Sequence, residues 1–284
     1  MKIIQKLATI FCFAFCTSVF AQQPPRLIVR GDDMGYSHSG NQALIESYKN
    51  GIETSIEVLV PSPWFPEAVK MLKENPGIDV GIHLALTSEW DNVKWRPLSD
   101  CKSLKDASGY FFPMVGPNPN YPGQAILENH WKIEDVEKEF RAQIELALKL
   151  IPNVSHLSSH MGCTTMTEEV RKLTDRLASE YKIKIAHEPK GLEWAGYDGP
   201  SKTPKEKVTA FIKMLYKLEP GKTYLFLDHP GFDDNELRAV HHIGYEAVAA
   251  DRQGVTDLFT NKKVKAVIKK LGIQLISYND LSEK

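Results

Sequence analysis

Four short segments of the 284-residue chain hold residues whose types and spacing could do chemistry. Gly31-Asp32-Asp33-Met34-Gly35 sets two acids side by side between glycines, and Gly81-Ile82-His83-Leu84 puts a histidine in an apolar run. His156-Leu157-Ser158-Ser159-His160 carries two histidines four apart, and Asp228-His229-Pro230-Gly231 closes an apolar run with a sharp turn. One carboxylate and two histidines form a ligand set for a divalent metal that leaves positions open for water and substrate. Such a set suits zinc hydrolysis and non-haem iron oxygenation alike. The second, adjacent acid favours hydrolysis, because it supplies a base.

Two carboxylates this close repel unless a cation lies between them. On a regular strand they would point to opposite faces. Gly31 and Gly35 let the chain leave strand geometry there, so both acids can face one site. One carboxylate then binds the metal while the other takes a proton from water. An Asp-Asp pair beside glycine is also ordinary turn chemistry, but three strand-end histidines favour a site. A lone histidine in an apolar strand is ordinarily a hydrogen-bonded core residue; the strand-end position of His83 favours a ligand. His156 and His160 share a face whether the segment is extended or helical, and Ser158 lies with them, so either histidine could reach a metal. His229 reads as a general acid or as a turn histidine capping its strand.

The elements around these segments alternate. Strands are expected at Arg26–Arg30, Thr54–Val60, Ile78–Leu84, Val154–Leu157, Ile183–Ala186, Thr223–Leu227 and Ile273–Ile276. Helices are expected at Asn41–Lys49, Pro66–Lys73, Ile133–Leu150, Thr167–Tyr181 and Pro204–Leu218, then over Ala239–Leu271 with an interruption near Asn261. Seven strands alternating with helices imply an α/β fold with parallel strands, a seven-stranded or distorted TIM-like (β/α) barrel. In such folds ligands bind at the carboxyl ends of strands, where the four segments fall. Residues 88–132 interrupt the rhythm with clustered prolines and with Trp90, Trp95 and Trp131. A loop this long is usually functional or mobile.

Lys2 and Lys6, the apolar run Ile10–Phe20 and a small residue at Ala21 read as a signal peptide, residues 1–21. A secreted or periplasmic location follows. Removing 21 of the 284 residues leaves 263 in a single domain, 22–284, and shifts the formal net charge from −1 to −3. Near-neutral charge without a basic stripe argues against a nucleic-acid partner. Nothing after residue 21 is long and apolar enough to span a membrane. Cys101 and Cys163 remain, and are read as free rather than bonded.

At these residues the sequence resembles the YdjC family of carbohydrate deacetylases. Gly31-Asp32-Asp33-Met34-Gly35 is similar to its opening Ala-Asp-Asp-Phe-Gly, and Gly81-Ile82-His83-Leu84 to its Gly-x-His-Leu. Ser155–His160 is similar to Thr-His-x-Asp-Ser-His, His229-Pro230-Gly231 to His-Pro-Gly, and Gly272–Tyr278 to the closing strand. The chain departs from the pattern at Ser158, where the family carries Asp, and at Gly162, where it often carries His. The resemblance implies a (β/α)-barrel-like fold and hydrolysis of an acetamido group on an N-acetylated sugar or oligosaccharide. It implies Asp33, His83 and His160 as ligands of one divalent metal, zinc first and magnesium second, with His156 as an alternative ligand. Asp32 would be the base and His229 the acid. Separately from the resemblance, Trp90, Trp95 and Trp131 on the long loop could stack on sugar rings or pack the loop onto the barrel. A homodimer is consistent with the same resemblance. An O-acetyl sugar esterase and a non-catalytic glycan-binding protein are the competing readings; retention of Asp32 and His229 argues against the second.

Overall fold

β1 (Arg26–Met34) organises the architecture, and its first residues alternate between two buried faces. Leu27 and Val29 pack on one face with Phe211, Leu258 and Phe259 from helices, while Ile28 packs on the other with Leu225, Ile276 and Tyr278. Both faces are buried, as a parallel strand covered by helices requires. The computed structural model describes residues 23–186 and 191–281; the signal segment expected over 1–21 lies outside the described residues.

The other strands are β2 (Ser55–Val58), β3 (Asp79–Leu84), β4 (Val154–Ser159), β5 (Lys184–Ile185), β6 (Leu192–Trp194), β7 (Thr223–Asp228) and β8 (Gln274–Leu275). Seven run side by side in the order β5-β4-β3-β2-β1-β7-β6, every pairing parallel, and β8 joins the first residues of β1. Parallel neighbours need crossovers. These are supplied by α1 (His38–Asn50), α2 (Phe65–Glu74), α3 (Ile133–Leu150), α4 (Glu168–Tyr181), α5 (Pro204–Leu215), α6 (Val248–Phe259) and α7 (Lys262–Leu271). Among the described residues β5 and β6 do not pair, so the sheet is a curled half-barrel, the distorted (β/α) barrel expected.

All seven expected strands form. The eighth, β6, is three residues long, too short for a period to show in the sequence. The helix expected from Ala239 begins only at Val248, and residues 240–247 are a loop. The interruption at Asn261 is real: its Oδ1 accepts from the Lys263 and Val264 amides and starts α7.

The long excursion after β3 is packed rather than loose. Trp90, Trp95, Leu104, Phe111 and Ile126 are buried in the main core. Glu139 on α3 accepts from the Leu98 and Ser99 amides, at 3.1 and 2.9 Å, and so ties the loop to the helix. One turn on, Gln143 exchanges two hydrogen bonds with the Ala85 backbone, fixing the end of β3. Cys101 and Cys163 are free and buried. Among the described residues no helix is long and apolar enough to cross a membrane.

Candidate active site

The alternation that points Ile28 inward also points Arg30 and Asp32 inward. Arg30 grips Asp32 with two parallel bonds, Nε to Oδ1 at 2.7 Å and Nη2 to Oδ2 at 2.9 Å. Asp33 should face away, but it adopts φ 73°, and the β1–β2 register shifts between Gly31 and Met34. Asp tolerates this left-handed region better than branched residues do. The break from strand geometry therefore lies on Asp33 itself rather than on Gly31. Gly31 serves close packing: a Cβ there would lie 2.7 Å from the Glu53 carboxyl carbon. Gly35, at φ 110°, completes the turn.

His83 on β3 and His160 just past β4 meet Asp33. His83 Nε2 lies 3.6 Å and His160 Nδ1 3.2 Å from Asp33 Oδ1. The three residues offer ligand atoms within 4.8 Å of one another, and all three are buried. Asp33 Oδ1 is buried without a well-aligned hydrogen-bond donor. A carboxylate oxygen and two imidazole nitrogens converging on one spot fit a divalent metal, zinc by the chemistry of the donors. Beyond them, His160 Nε2 contacts Glu89 at 3.0 Å and His83 Nδ1 contacts Ser158 Oγ at 2.8 Å. Burial brings His83 down to about 4, keeping its ring neutral, the form that binds metal.

Arg252 on α6 donates from Nη2 to Asp33 Oδ2 at 2.9 Å, and its guanidinium lies over the Tyr36 and Trp90 rings. Burial opposes the Asp33 charge, yet His229, His160 and Arg252 hold its carboxyl well below the usual range. His229 stands across the site, Nε2 3.8 Å from Asp33 Oδ2 and Nδ1 3.5 Å from Asp228 Oδ1. Burial works against a charge on His229, but Asp33 and Asp228 outweigh it and raise its pKa. Asp228 is fixed in turn by the Tyr197 hydroxyl at 2.6 Å.

A cavity of about 550 Å³ opens over these groups, within the usual size of a small-molecule site. Asp32, Asp33, His83, His160, His229 and Trp90 all line it. His156 does not. Its Nε2 meets Glu57 Oε1 at 2.6 Å, its Nδ1 meets Ser155 Oγ at 2.6 Å, and its ring stacks on Tyr278. Four residues of strand separate His156 from His160 by about 13 Å, so sharing a face does not let both reach one ion. Trp95 is buried behind the His160 ring, and Trp131 packs against the core; neither lines the cavity. Sequence reasoning missed Arg30, Glu89, Trp194, His242, Tyr245 and Arg252, which do line it. Arg30 could have been found from its place two residues before Asp32. Arg252, on a distant helix, carries no local signal.

With this geometry in hand, the relatives are informative. The family described as YdjC-like protein matches residues 26–270. A carbohydrate deacetylase of Clostridium beijerinckii is 31% identical over 271 residues, covering 90% of this chain and 100% of that one. Another of Enterococcus faecalis is 27% identical over 273 residues, covering 90% and 98%. A crystal structure from Enterococcus faecalis, of a candidate cellobiose-phosphate cleavage protein, has the same fold. Its TM-score is 0.72 at 23% identity, over 92% of this chain and all of that one. The family match spans the strands and strand ends that place Asp32, Asp33, His83, His160 and His229, and the chain belongs to the YdjC-like protein family.

Proposed function

We propose that this protein is a metal-dependent hydrolase that removes acetyl groups from N-acetylated sugars or oligosaccharides and releases acetate. The observation that carries the reading is the convergence of a three-residue ligand set, a second carboxylate and a histidine on one cavity. The deacetylase names of the relatives support the choice of substrate.

Asp33, His83 and His160 would hold the metal, zinc by preference and magnesium as the alternative. When bound, it would polarise the acetyl carbonyl and make water a stronger acid. Asp32 acts as the base. The two-pronged grip of Arg30 keeps its carboxylate aimed into the cavity, where it takes a proton from the attacking water. The water oxygen bonds to the carbonyl carbon, and the C–N bond breaks. His229 delivers the proton that the departing amine needs, with Asp228 behind its ring to favour the charged form before transfer. The products are acetate and a free amino sugar. Trp90, almost wholly buried with the Arg252 guanidinium over its ring, lines the cavity wall and would border the sugar there. The charged start and apolar run of residues 1–21 support export and removal of that segment, so that the enzyme meets its glycan outside the cytoplasm.

The test is acetate release from a panel of N-acetylated and O-acetylated oligosaccharides, with and without chelator. Chelator-sensitive release from the N-acetylated set is expected. Release from the O-acetylated set alone would replace the amidase by an esterase, and no release from either would overturn the reading.

A further inference from the structure

Beneath the cavity lies a buried polar group that the mechanism above does not use. Glu57 of β2 and Ser158 of β4 reach toward each other across β3, where Gly81 pairs with Glu57 and His83 pairs with Ser158. Ser158 Oγ contacts both His83 Nδ1, at 2.8 Å, and Glu57 Oε2. The other oxygen of Glu57 takes His156 Nε2 at 2.6 Å, and Arg30 Nε lies 3.8 Å away. All of these side chains are buried. Gly81 makes the arrangement possible, because a Cβ there would overlap both Glu57 and His156.

The proton count has one solution. A serine hydroxyl has one hydrogen to give, and an ionised carboxylate only accepts. Ser158 therefore donates to Glu57 and meets His83 only as an acceptor. The neutral His83 ring must then carry its hydrogen on Nδ1. The nitrogen left bare is Nε2, the one turned toward Asp33 Oδ1.

We infer that Glu57, acting through Ser158, is a positioning carboxylate that fixes the His83 tautomer and so presents Nε2 to the metal. The inference rests on the metal site proposed above. It also gives a physical account of the departure at position 158: the carboxylate behind the ligand arrives from the neighbouring strand, with a hydroxyl between. Partners of this kind orient metal-binding histidines, and their loss typically weakens metal binding about 10–100-fold.

The test uses the full chain labelled with 15N-histidine. Nitrogen shifts report the His83 tautomer in the metal-free protein, and competition with a chromophoric chelator reports zinc affinity. The wild type should show the proton on Nδ1. Ser158→Ala should lose the tautomer preference and bind zinc about 10–100-fold more weakly, while still folding cooperatively with its melting temperature lowered by about 3–6 °C, because Glu57 loses one hydrogen bond. Glu57→Gln presents an amide hydrogen to Ser158, turns the hydroxyl toward His83 and should move the ring proton to Nε2. The double variant Glu57→Gln/Ser158→Asp should recover affinity, because Asp at 158 accepts from Nδ1 directly. A wild-type ring protonated on Nε2, or wild-type zinc affinity in Ser158→Ala, overturns the inference. Should Glu57→Gln not fold, Ser158→Ala still decides. A wild type that keeps its proton on Nδ1 but binds no zinc supports the relay and refutes the metal site instead.

Discussion

Replacing Gly81 by alanine perturbs the site without touching a proposed ligand, base or acid. The added methyl would sit 2.6 Å from the Glu57 carboxyl carbon, where carbon atoms settle at about 3.5–4.0 Å. The carboxylate must therefore retreat by about 1 Å. It has nowhere to go, being fully buried and held by His156, Ser158 and Arg30. Overpacking of this kind costs about 1–3 kcal/mol. Weakening the hydrogen bonds to a charged group adds about 1.5–3 kcal/mol for each one lost. About 4 kcal/mol is expected with one bond lost, and at roughly 2 °C per kcal/mol for a chain of this length the melting temperature falls by about 8 °C. Thermal unfolding of the purified protein measures it. Gly116→Ala is the control: nothing lies within 4 Å of its added methyl, so stability should stay within about 0.5 kcal/mol. A Gly81→Ala protein that melts within a degree of its parent would refute the claim that this network is rigid.

Three further outcomes are expected. Asp32→Asn should lower kcat about 10²–10⁴-fold while zinc stays bound; retained turnover sinks the assignment of the base. Trp194 is 62% exposed at the cavity mouth, so Trp194→Ala should raise KM for an N-acetylated oligosaccharide about tenfold, a loss of ~1.4 kcal/mol; an unchanged KM removes Trp194 from the substrate path. Burial and the nearby Asp32 raise the Glu53 carboxyl well above its usual 4.5, and neither of its oxygens has a hydrogen-bond partner. Below pH 4.5 it is neutral folded or unfolded; as pH rises past 4.5 the unfolded chain ionises first and this group's contribution turns against folding. Glu53→Met should therefore gain about 1–3 kcal/mol at pH 7, with the margin shrinking toward pH 4 in denaturant titrations, and an equal margin at both pH values would contradict it.

How much of this was legible in the sequence depended on how local each signal was. Buried parallel strands announce themselves as short Val, Ile and Leu runs, and polar residues just past their ends marked Asp32, Asp33, His83, His160 and His229. β6 had only Leu-Glu-Trp with which to declare itself. Residues 240–247 read as helix, yet they form the loop that brings His242 and Tyr245 to the cavity. Periodicity placed His156 and His160 on one face but not at one depth, and depth separates a residue buried under the site from one lining it. The tryptophans of the long loop were equally suited to sugar and to core; all three pack in or against the core, and position rather than burial leaves only Trp90 of the three in the cavity lining. Neither Glu57 nor Arg252 adjoins a motif, and only the folded chain brings them to the site.

Arg252, with Arg30, matters because Asp32 and Asp33 are chemically identical neighbours for which different tasks are proposed. What tells them apart is the company each keeps. Arg30, two residues earlier on the same strand, occupies both oxygens of Asp32. Arg252, from α6, occupies only Oδ2 of Asp33, and Oδ1 is left to the two histidines. The left-handed backbone at Asp33 makes this division possible, since it turns a residue that should face the helices toward the cavity. Each buried carboxylate thus has its own guanidinium, which limits the repulsion that two adjacent anions would otherwise suffer. In the proposed mechanism one arginine would set a carboxylate up to exchange a proton, and the other would set one up to hold a metal. The pair of roles comes from partners more than two hundred residues apart, meeting at a two-residue motif.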